Sequence, residues 1–395
     1  MKKILHIAYD NASQDYFLKF LCEERLDEQN DILLCIDGDL PKKVGYFHHP
    51  NIKLVQLADS PRTLDEYLSK DYSMLVIHFL KVEIAQAIIN TQSKIKIAWA
   101  FWGADGYGLH LVNNLYSRKT IGLDKSLSWK ANLYLDAKRR VIRTLRLVGL
   151  FEPILAKTNG LKIFRNESTL YKALLRVDYC LTHVKEDFTL LVSTYQHLNL
   201  TWNNFFYLPQ NTSGDKFISS MKEGIVLVGN SGNPSNNHAD VLLTLSNQKE
   251  SPLEVICPMS YGSPIGYNNA ILQLNSTNTK LNLNVITRFE SLPKWEERMN
   301  EVSVVFFNHY RQQGLGNVVF LLCHGKRVYL NSKSTTYQYL KGIGCIVFKF
   351  GIDKISYQSL TMEETDINRK CIESSYSPDK FVLNWENITD VLVKN

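Results

Sequence analysis

Short apolar runs alternate with segments of helical periodicity along the first half of the chain. Helices are predicted at Gln14–Leu26 and Val82–Asn90, where apolar positions recur every three or four residues. Continuous apolar strands separated by such helices are typical of a parallel sheet that is covered on both faces. The strands predicted in this half are Ile4–Ala8, Ile32–Ile36, Ile52–Leu57, Met74–Phe79, Ile95–Phe101, Val177–Thr182 and Phe205–Leu208.

A second series of the same kind follows a polar run of turn-forming residues, Pro209–Asp215, which we interpret as a linker. The helices predicted in it are His238–Ser246, Leu292–Met299 and Gly316–His324. The strands predicted in it are Ile225–Val228, Leu253–Cys257, Leu283–Ile286, Val302–Phe307, Arg327–Leu330 and Cys345–Phe348. We therefore predict an α/β protein with two βαβ domains, residues 1–210 and 216–376, and a cleft between them.

The last segment, residues 377–395, has the pattern of an amphipathic helix. Ser377 is a suitable N-cap, and Pro378 fits the first helical position. The apolar positions that then recur at helical spacing are Phe381, Trp385, Ile388 and Leu392. An apolar stripe of this kind requires a surface on which to dock.

Composition narrows the class of protein. The 395 residues are 45% hydrophobic and 21% charged, which excludes collagen-like, disordered and coiled-coil chains. Apolar runs reach only about six residues, as at Val318–Cys323, whereas a membrane-spanning helix needs ~18. The apolar stretch after Met1 is too short for a secretory signal, so a cytoplasmic protein is expected. The seven cysteines are widely spaced and contain no C-x-x-C pair, so neither a disulfide framework nor a zinc site is expected.

The net charge of +6 is unevenly distributed along the chain. Residues 118–176 contain fourteen basic and four acidic side chains, so the remainder of the chain is net negative. On a helical wheel Val141, Leu145 and Val148 fall on one side, with a basic face opposite. Such a basic amphipathic helix is typical of membrane-surface binding, although a solvated surface helix has the same pattern. Nucleic acid binding would also use positive charge, but no motif of that class accompanies it.

A loop rich in Gly, Ser and Asn follows the predicted strand Ile225–Val228 and leads to a helix that begins near His238. Glycine lets the backbone approach a ligand closely, and the free N–H groups at a helix start attract anions. The spacing matches neither the Walker nor the Rossmann glycine pattern. Two interpretations are therefore open, a pyrophosphate site and an ordinary turn between a strand and a helix.

A second loop, Asn308–Asn317, follows the strand Val302–Phe307 in the same way. Within it, Arg311 can pair with phosphate through two hydrogen bonds. Gln312, Gln313 and Asn317 can bond sugar hydroxyls or a pyrimidine edge. Ligands of α/β sheets bind outside the carboxyl ends of strands, so one ligand is expected to bridge both loops. The turn at 257–262, which contains Pro258 and Met259, is a third strand end that can close the same pocket.

In the first half, Trp102-Gly-Ala-Asp105 follows the strand Ile95–Phe101, and its carboxylate is a candidate general base for a hydroxyl group. An N-cap role for Asp105 is an equal alternative. His78, inside an apolar run, fits a core histidine better than a catalyst, and Asp10 after the first strand is similarly ambiguous. Asp37-Gly-Asp39 has the form of a D-x-D metal motif, but no further ligands accompany it, so we do not interpret it as a metal site.

These motifs together resemble the bacterial 4-acetamido-4,6-dideoxygalactosyltransferases, glycosyltransferase family 56. The motifs are the loop at 228–238, the Pro258-Met259 turn, Arg311-Gln-Gln-Gly-x-Gly316 and Trp102-Gly-Ala-Asp105, in the family's order. The resemblance implies a GT-B fold, with two Rossmann-like domains and a C-terminal helix, residues 377–395, that returns to the first domain. This sequence departs from the family's pattern after Asp105, where the basic segment 118–176 forms an insertion.

The resemblance also implies roles for individual residues. It places Gly229, Asn230, Ser231, Asn236 and His238 along the donor diphosphate. It places Pro258 and Met259 in the donor site, together with Arg311, Gln312, Gln313, Gly314, Gly316 and Asn317. It places Asp105 and His78 on the acceptor side, with Asp10, Trp102 and Gly103, and the catalytic candidates are Asp105, His78 and Arg311. The donor implied is a TDP-linked fucose-type or deoxyamino sugar, and the acceptor is a polyprenyl-diphosphate-linked saccharide.

The predicted function is therefore a glycosyltransferase of surface polysaccharide assembly that uses no metal or other cofactor. It would lie peripherally on the cytoplasmic face of the bacterial inner membrane, held by residues 118–176. Arg311 and the helix starts would stabilise the leaving nucleoside diphosphate, and Asp105 would be the base if the reaction inverts configuration. Two alternatives remain at this stage: a nucleotide-sugar epimerase on the same scaffold and, less favoured, a non-catalytic protein that binds nucleic acid.

Overall fold

A computed structural model describes residues 3–23, 30–42, 44–45, 47–112, 115–123, 129–157, 162–205 and 222–394. The chain divides into two compact units. The first unit contains Met1–Leu111, Arg140–Leu208 and Tyr376–Asn395, and the second contains Val112–Arg139 and Pro209–Ser375. Among the described residues, no helix is both long enough and apolar enough to span a membrane.

The first unit is built on a seven-stranded sheet in which all neighbouring strands are parallel. Its strands are β1 (Lys3–Tyr9), β2 (Asn30–Ile36), β3 (Ile52–Gln56), β4 (Tyr72–His78), β5 (Lys96–Ala100), β6 (Tyr179–Leu181) and β7 (Thr201–Asn203). The strand order is β3-β2-β1-β4-β5-β6-β7, so the direction of winding reverses between β1 and β4. The central strands are almost entirely buried, as expected for a sheet with helices on both faces.

Helices connect these strands and cover the sheet. They are α1 (Ala12–Glu23), α2 (Ser60–Leu68), α3 (Val82–Asn90), α4 (Ala104–Tyr107), α7 (Phe151–Ala156), α8 (Arg165–Leu174) and α9 (Lys185–Thr194). The last helix of the chain, α16 (Pro378–Lys394), belongs to this unit and packs beside β4. Phe381 and Trp385 of α16 are buried against the ring of Phe17, with centroid distances of 6.3 and 5.1 Å. The docking surface that the apolar stripe requires is therefore this aromatic cluster.

The second unit is built on a six-stranded parallel sheet of order β10-β9-β8-β11-β12-β13. Its strands are β8 (Ile225–Val228), β9 (Glu254–Pro258), β10 (Leu283–Ile286), β11 (Val304–Phe307), β12 (Arg327–Leu330) and β13 (Phe348–Lys349). Its helices are α5 (Arg118–Leu123), α10 (His238–Ser246), α11 (Tyr267–Leu274), α12 (Leu292–Glu301), α13 (Leu315–Cys323), α14 (Thr335–Gly342) and α15 (Met362–Tyr376). Winding reverses here between β8 and β11, which are paired with each other.

The predicted α/β class, the two parallel sheets and the returning C-terminal helix are confirmed. One strand was not predicted, and two predicted segments lie partly or wholly outside the described residues. The last strand of the first sheet is Thr201–Asn203, and of the predicted strand Phe205–Leu208 only Phe205 is described, with its ring packed against Phe17. The predicted linker, Pro209–Asp215, lies outside the described residues.

Part of the first half of the chain also belongs to the second unit. The predicted domain boundaries at 210 and 216 did not include this part. Residues Val112–Arg139 belong to that unit. The reason is local packing: α5 contacts α10 and α11, and Leu123 lies against the second unit's apolar core. The basic segment 118–176 is therefore divided between the two units.

The helix α6 (Trp129–Leu147) carries six of the fourteen basic side chains of this segment, and its buried face differs from prediction. Ile142 is buried, whereas Val141 and Val148 are exposed. Arg146 does not belong to the solvated basic face, because its Nη2 lies 3.3 Å from the Leu109 carbonyl oxygen and its guanidinium covers the Phe151 ring. The helical wheel therefore gave the wrong orientation at this end of the helix.

Candidate functional site

Two loops border the point where the second sheet reverses its winding. The first follows β8 at Gly229, whose backbone N–H donates to the Phe306 carbonyl oxygen on β11 at 2.9 Å. Gly229 has φ +74°, and an added Cβ would lie 2.7 Å from Nε2 of His238 and 2.8 Å from Oδ1 of Asn236. Only glycine fits both this backbone conformation and this space. The chain therefore needs glycine here to bring the loop back over the sheet.

The side chain of Asn236 holds this loop together and is completely buried. Its Oδ1 accepts the backbone N–H of Asn230 at 2.9 Å and Nε2 of His309 at 2.7 Å. Its Nδ2 donates to the hydroxyl of Ser231 at 3.1 Å and to the carbonyl oxygen of Asn233 at 2.9 Å. All four hydrogen bonds that an amide side chain can make are thus formed. One residue joins the loop after β8 to the loop after β11.

A second set of contacts locks the two loops together near α13. Gln313 accepts the Ser235 hydroxyl at 2.7 Å, and its Nε2 lies 3.3 Å from Oδ1 of Asn230. Gly314 has φ +66° and precedes the first residue of α13, and an added Cβ would lie 2.7 Å from Nδ2 of Asn230. The start of α13, where the backbone N–H groups have no intrahelical acceptor, therefore lies beside the loop after β8. A helix start of this kind favours an anion.

His238 and His309 are both fully buried beside this network. Burial lowers the pKa of His238 to about 4, and the Ser231 backbone opposes that shift. Burial, with the neighbouring charge of Arg311 and of His238, lowers the pKa of His309 to about 3. Both imidazoles are neutral at pH 7. Positive charge at the site must therefore come from Arg311 and the helix starts, rather than from histidine.

Arg311 lies half-buried in the loop after β11, where its Nη1 donates to the Gln312 carbonyl oxygen at 3.0 Å. The Arg311 carbonyl oxygen accepts the hydroxyl of Ser334, which is the N-cap of α14. Within the described residues, Oε1 of Gln312 is buried and makes no hydrogen bond. The Arg311 backbone is thus held by the N-cap of α14, while the amide oxygen of Gln312 remains for a ligand.

A cavity of about 260 Å³ adjoins these loops at the carboxyl ends of β8, β9 and β10. Its lining residues are Asn230, Pro258, Ser260, Tyr261, Ile286, Arg288, Phe289, Glu290, Trp295 and Asn317. The Tyr261 hydroxyl donates to the Asn230 carbonyl oxygen at 3.0 Å, which joins the cavity to the loop after β8. The cavity therefore combines three aromatic rings with polar groups of the two loops.

The carboxylate that lines the cavity, Glu290, is already paired with basic side chains. Arg298 donates to both oxygens of Glu290 at 2.9 and 3.1 Å and lowers the pKa of that carboxyl, with a smaller contribution from Lys294. Glu290 therefore stays ionised and neutralised by its own partners. Arg288 is exposed and, within the described residues, makes no hydrogen bond or ion pair. It is the cation at this cavity that can meet an anionic ligand.

A further support comes from the segment that precedes α5. The Ser117 backbone N–H donates to Oδ1 of Asn237 at 2.7 Å, and the Ser117 hydroxyl bonds the carboxylate of Asp240. Asn237 has φ +52° and donates through Nδ2 to the Asn308 carbonyl oxygen at 2.9 Å. Sequence reasoning did not find these contacts, because they join residues 71 to 123 positions apart.

The structure brings most of the predicted donor-side residues to one place. Asn230, Pro258 and Asn317 line the cavity, while Gly229, Ser231, Asn236, His238, Gln313 and Gly314 form the loop network. Met259 differs from prediction, because its side chain is buried in the apolar core beneath the cavity. Gly316 is exposed on α13 with open space around it. Ser260 and Tyr261 line the cavity from the turn 257–262, which was predicted to close it, whereas Arg288, Phe289 and Trp295 were missed, although the strand-end rule applies to β10 as well.

The residues predicted for the acceptor side lie in the first unit, and several have structural roles. His78 is completely buried: its Nε2 lies 3.1 Å from Nδ1 of His6, and burial holds its pKa well below the usual range. Its bond to His6 and its place in the core favour a structural role for His78 over the predicted catalytic one. Asp10 accepts the backbone N–H groups of Lys42 and Val44 at 2.7 and 3.0 Å and thereby holds the loop after β2.

Asp105 is buried at the start of α4. Its Oδ2 accepts Nε1 of Trp99 at 2.8 Å and the backbone N–H of Leu80 at 3.1 Å, and its Oδ1 accepts the N–H of Trp102 at 3.2 Å. Burial raises its pKa to about 6, although these hydrogen bonds oppose the shift. Gly103, with φ +96°, is the N-cap residue of α4, so Asp105 is not the N-cap. Its carboxylate braces the ends of β4 and β5.

Asp37 and Asp39 are exposed, and within the described part of the chain no three His, Cys, Asp or Glu side chains are grouped so as to hold a metal ion.

Comparison with solved structures defines the fold. A glycosyltransferase from Rickettsia africae ESF-5 has a TM-score of 0.60 at 9% identity, covering 100% of this chain and 99% of that one. Anabaena Alr3699/HepE, solved in complex with UDP and glucose, has a TM-score of 0.55 at 10% identity and covers 100% of both chains. Sucrose-phosphate synthase from Thermosynechococcus elongatus has a TM-score of 0.59 at 9% identity, covering 99% of both chains. The fold is the GT-B fold of glycosyltransferases.

The sequence narrows the class to a family. Residues 189–389, just over half of the chain, match the family model described as 4-alpha-L-fucosyltransferase, glycosyl transferase group 56. The chain belongs to this family and is a glycosyltransferase. The match spans both loops of the second unit and the turn after β9. Membership of this family argues against the epimerase and nucleic-acid alternatives.

The glycines of the two loops provide a test of this geometry. Gly229→Ala should lower the free energy of unfolding by at least ~2 kcal/mol, because left-handed backbone alone costs ~1–2 kcal/mol and the new Cβ also meets His238 and Asn236. Gly316→Ala is the matched control, since nothing lies within 4 Å of its Cβ position, and it should change stability by less than ~1 kcal/mol. Urea unfolding of both variants measures the difference. Equal effects would show that the loop after β8 is not packed as described.

Proposed function

We propose that this glycosyltransferase takes its sugar from a nucleoside-diphosphate donor held by the second unit. The observation that carries the proposal is the joining of the loops after β8 and β11 by Asn236, beside an aromatic cavity at the same strand ends. Ligands of open α/β sheets bind where the winding reverses, and this network lies there. A nucleoside diphosphate has the matching composition: a flat base, a sugar and two phosphates.

The diphosphate binds at the loop network. Backbone N–H groups at the start of α13 bind its oxygens, and Arg311 supplies the formal charge. As the bond to the sugar breaks, negative charge builds on the departing diphosphate. Fixed N–H groups and a guanidinium stabilise that charge without having to reorganise. His238 and His309 are neutral and hold the loops in place.

The nucleobase of the donor occupies the cavity between Tyr261, Phe289 and Trp295. Phe289 is 84% exposed, and a flat ligand would bury one face of this ring. Arg288 and Asn317 are close enough to bond the ribose or the edge of the base. The HepE structure, which contains UDP and glucose, supports a nucleotide donor for this fold.

The finer assignment follows from the resemblance to the family. The donor is a TDP-linked sugar of the fucose or deoxyamino type, and the acceptor is a polyprenyl-diphosphate-linked saccharide. The enzyme then works at the cytoplasmic face of the inner membrane, which it contacts through the basic segment 118–176. The fourteen basic side chains of that segment support an anionic surface as its partner.

Asp105 is proposed to deprotonate the acceptor hydroxyl. Its position at the end of β5 and its pKa of about 6 suit a base at neutral pH. Its three N–H partners occupy part of the carboxylate and would orient the remaining lone pairs. A purely structural brace has the same contacts, so kinetics must distinguish the two roles.

A panel of nucleotides tests the donor site. A ligand that binds only the folded state raises the melting temperature. Because the proposed donor is TDP-linked, TDP should raise it more than UDP or GDP. Trp295→Ala should reduce that shift, with a loss of affinity of about tenfold or more for one stacked ring. Ile352→Ala, an exposed apolar residue outside the cavity lining, is the control and should leave the shift unchanged. No shift with any nucleotide in the wild type would refute the donor proposal.

The pH dependence of transfer tests Asp105. The rate kcat/KM should fall as the pH drops through about 6, because the protonated carboxyl cannot accept a proton. Asp105→Asn should reduce kcat by at least ~10² while TDP still raises the melting temperature. Wild-type turnover by a folded Asp105→Asn variant would show that the residue is only a brace.

A further inference from the structure

An exposed apolar tip ends the helix α6 in the first unit. Val141, Leu147, Val148 and Leu150 have exposed fractions of 41%, 79%, 59% and 51%. The residues on either side are anchored, since Ile142 and Phe151 are buried. Exposed apolar side chains that are grouped in this way mark an interaction site on a protein surface.

The tip has a defined conformation. Gly149 has φ +69°, its N–H donates to the Arg146 carbonyl oxygen at 3.1 Å, and the Leu150 N–H donates to the Leu145 carbonyl oxygen at 2.8 Å. These two bonds form a Schellman motif, the usual glycine-based end of a helix. Leu147, Val148 and Leu150 are therefore presented by an ordered turn. Their exposure is a built feature and does not come from fraying of the helix.

Positive charge lies beside this tip. Arg140, Arg143 and Leu147 are spaced at i, i+3 and i+7, so they lie along one face of α6. Arg140 and Arg143 are exposed, and no described residue forms an ion pair or hydrogen bond with either. Arg146, in contrast, turns inward to the Leu109 carbonyl oxygen and the Tyr195 hydroxyl. The two outward guanidiniums are thus available to an anionic partner.

We propose that the tip 147–150 inserts into the headgroup layer of an anionic bilayer, while Arg140 and Arg143 bind lipid phosphates. An apolar end flanked by arginine fits the boundary between headgroups and acyl chains, where both kinds of side chain are satisfied. This inference deepens the proposed function and rests on the part of it that places the acceptor in a membrane. It adds that attachment is partly apolar, so it is not simple adsorption of a basic segment.

Vesicle binding of the full chain tests the tip. The wild type should sediment with vesicles of equimolar phosphatidylglycerol and phosphatidylcholine, and more weakly with phosphatidylcholine alone. Arg140→Gln with Arg143→Gln should weaken binding to the anionic vesicles about 30-fold, given ~1 kcal/mol for each arginine near such a surface. Leu147→Ser with Leu150→Ser should weaken it about tenfold or more, and this loss should persist at high salt, which screens only the charges.

A matched control replaces residues of the same kinds elsewhere in the first unit. Arg62→Gln with Leu383→Ser removes one exposed arginine and one exposed leucine, and it should bind vesicles as the wild type does. A polarity-sensitive fluorophore on Leu147→Cys should shift its emission to the blue on the anionic vesicles. Vesicle binding by the leucine variant equal to that of the wild type, or an unshifted fluorophore, would overturn the inference. Wild-type chain that binds neither vesicle would also overturn it and point to a protein partner.

The same variants separate this inference from the proposed function. The melting temperature, and the shift that TDP produces in it, should be unchanged by the leucine and arginine substitutions, since the tip belongs to the first unit. Loss of vesicle binding with an intact TDP shift supports both proposals. If TDP produces no shift in the wild type, while the variants still lose vesicle binding, the proposal for the tip is supported and the donor site is refuted.

Discussion

The amide side chain of Asn236 is the contact on which the second unit's loops depend. Oδ1 accepts one donor from each of the two loops, and Nδ2 donates twice within the loop after β8. The residue is buried, so any missing partner would leave a polar atom without water, at a cost of about 1–3 kcal/mol. The glycines at 229 and 314 serve this arrangement, because a Cβ at either would meet the asparagine side chains at its centre.

Much of the fold could be predicted because it rests on local pattern. A central strand of a parallel sheet is apolar throughout, and runs such as Ile225–Val228 are visible as such in the sequence. The helices Val82–Asn90 and His238–Ser246 begin and end where predicted. The loop after β8 could also be predicted, since glycine at the end of a strand allows backbone conformations that other residues rarely adopt.

Other features depend on contacts that no local pattern contains. The strand Thr201–Asn203 has three residues and little apolar character, so nothing in the sequence separates it from a loop. The placement of Val112–Arg139 in the second unit depends on Ser117 meeting Asn237 and Asp240. Arg146 has the sequence of a solvated basic residue, yet an aromatic ring and a carbonyl oxygen draw it inward. His78 shows the reverse case, since an apolar run correctly favoured the core.

The two units use one architecture for different purposes. Each has a parallel sheet whose winding reverses near its centre. In the second unit the strand ends there carry a polar network and an aromatic cavity. In the first unit, aromatic side chains of α16 and Phe17 fill the space around the buried pair His6 and His78. We infer that the donor is held by the second unit for this reason.

The affinity for TDP of an Asn236→Ala variant, measured by calorimetric titration, tests that central claim most directly. Asn368→Ala is the matched control: Asn368 is equally buried in the second unit, and its amide bonds only the backbone of Ile346. Both substitutions should lower stability. Asn236→Ala should weaken TDP binding at least ~30-fold, a loss of ~2 kcal/mol, while Asn368→Ala should bind as the wild type does. Wild-type affinity in a folded Asn236→Ala variant would contradict the account.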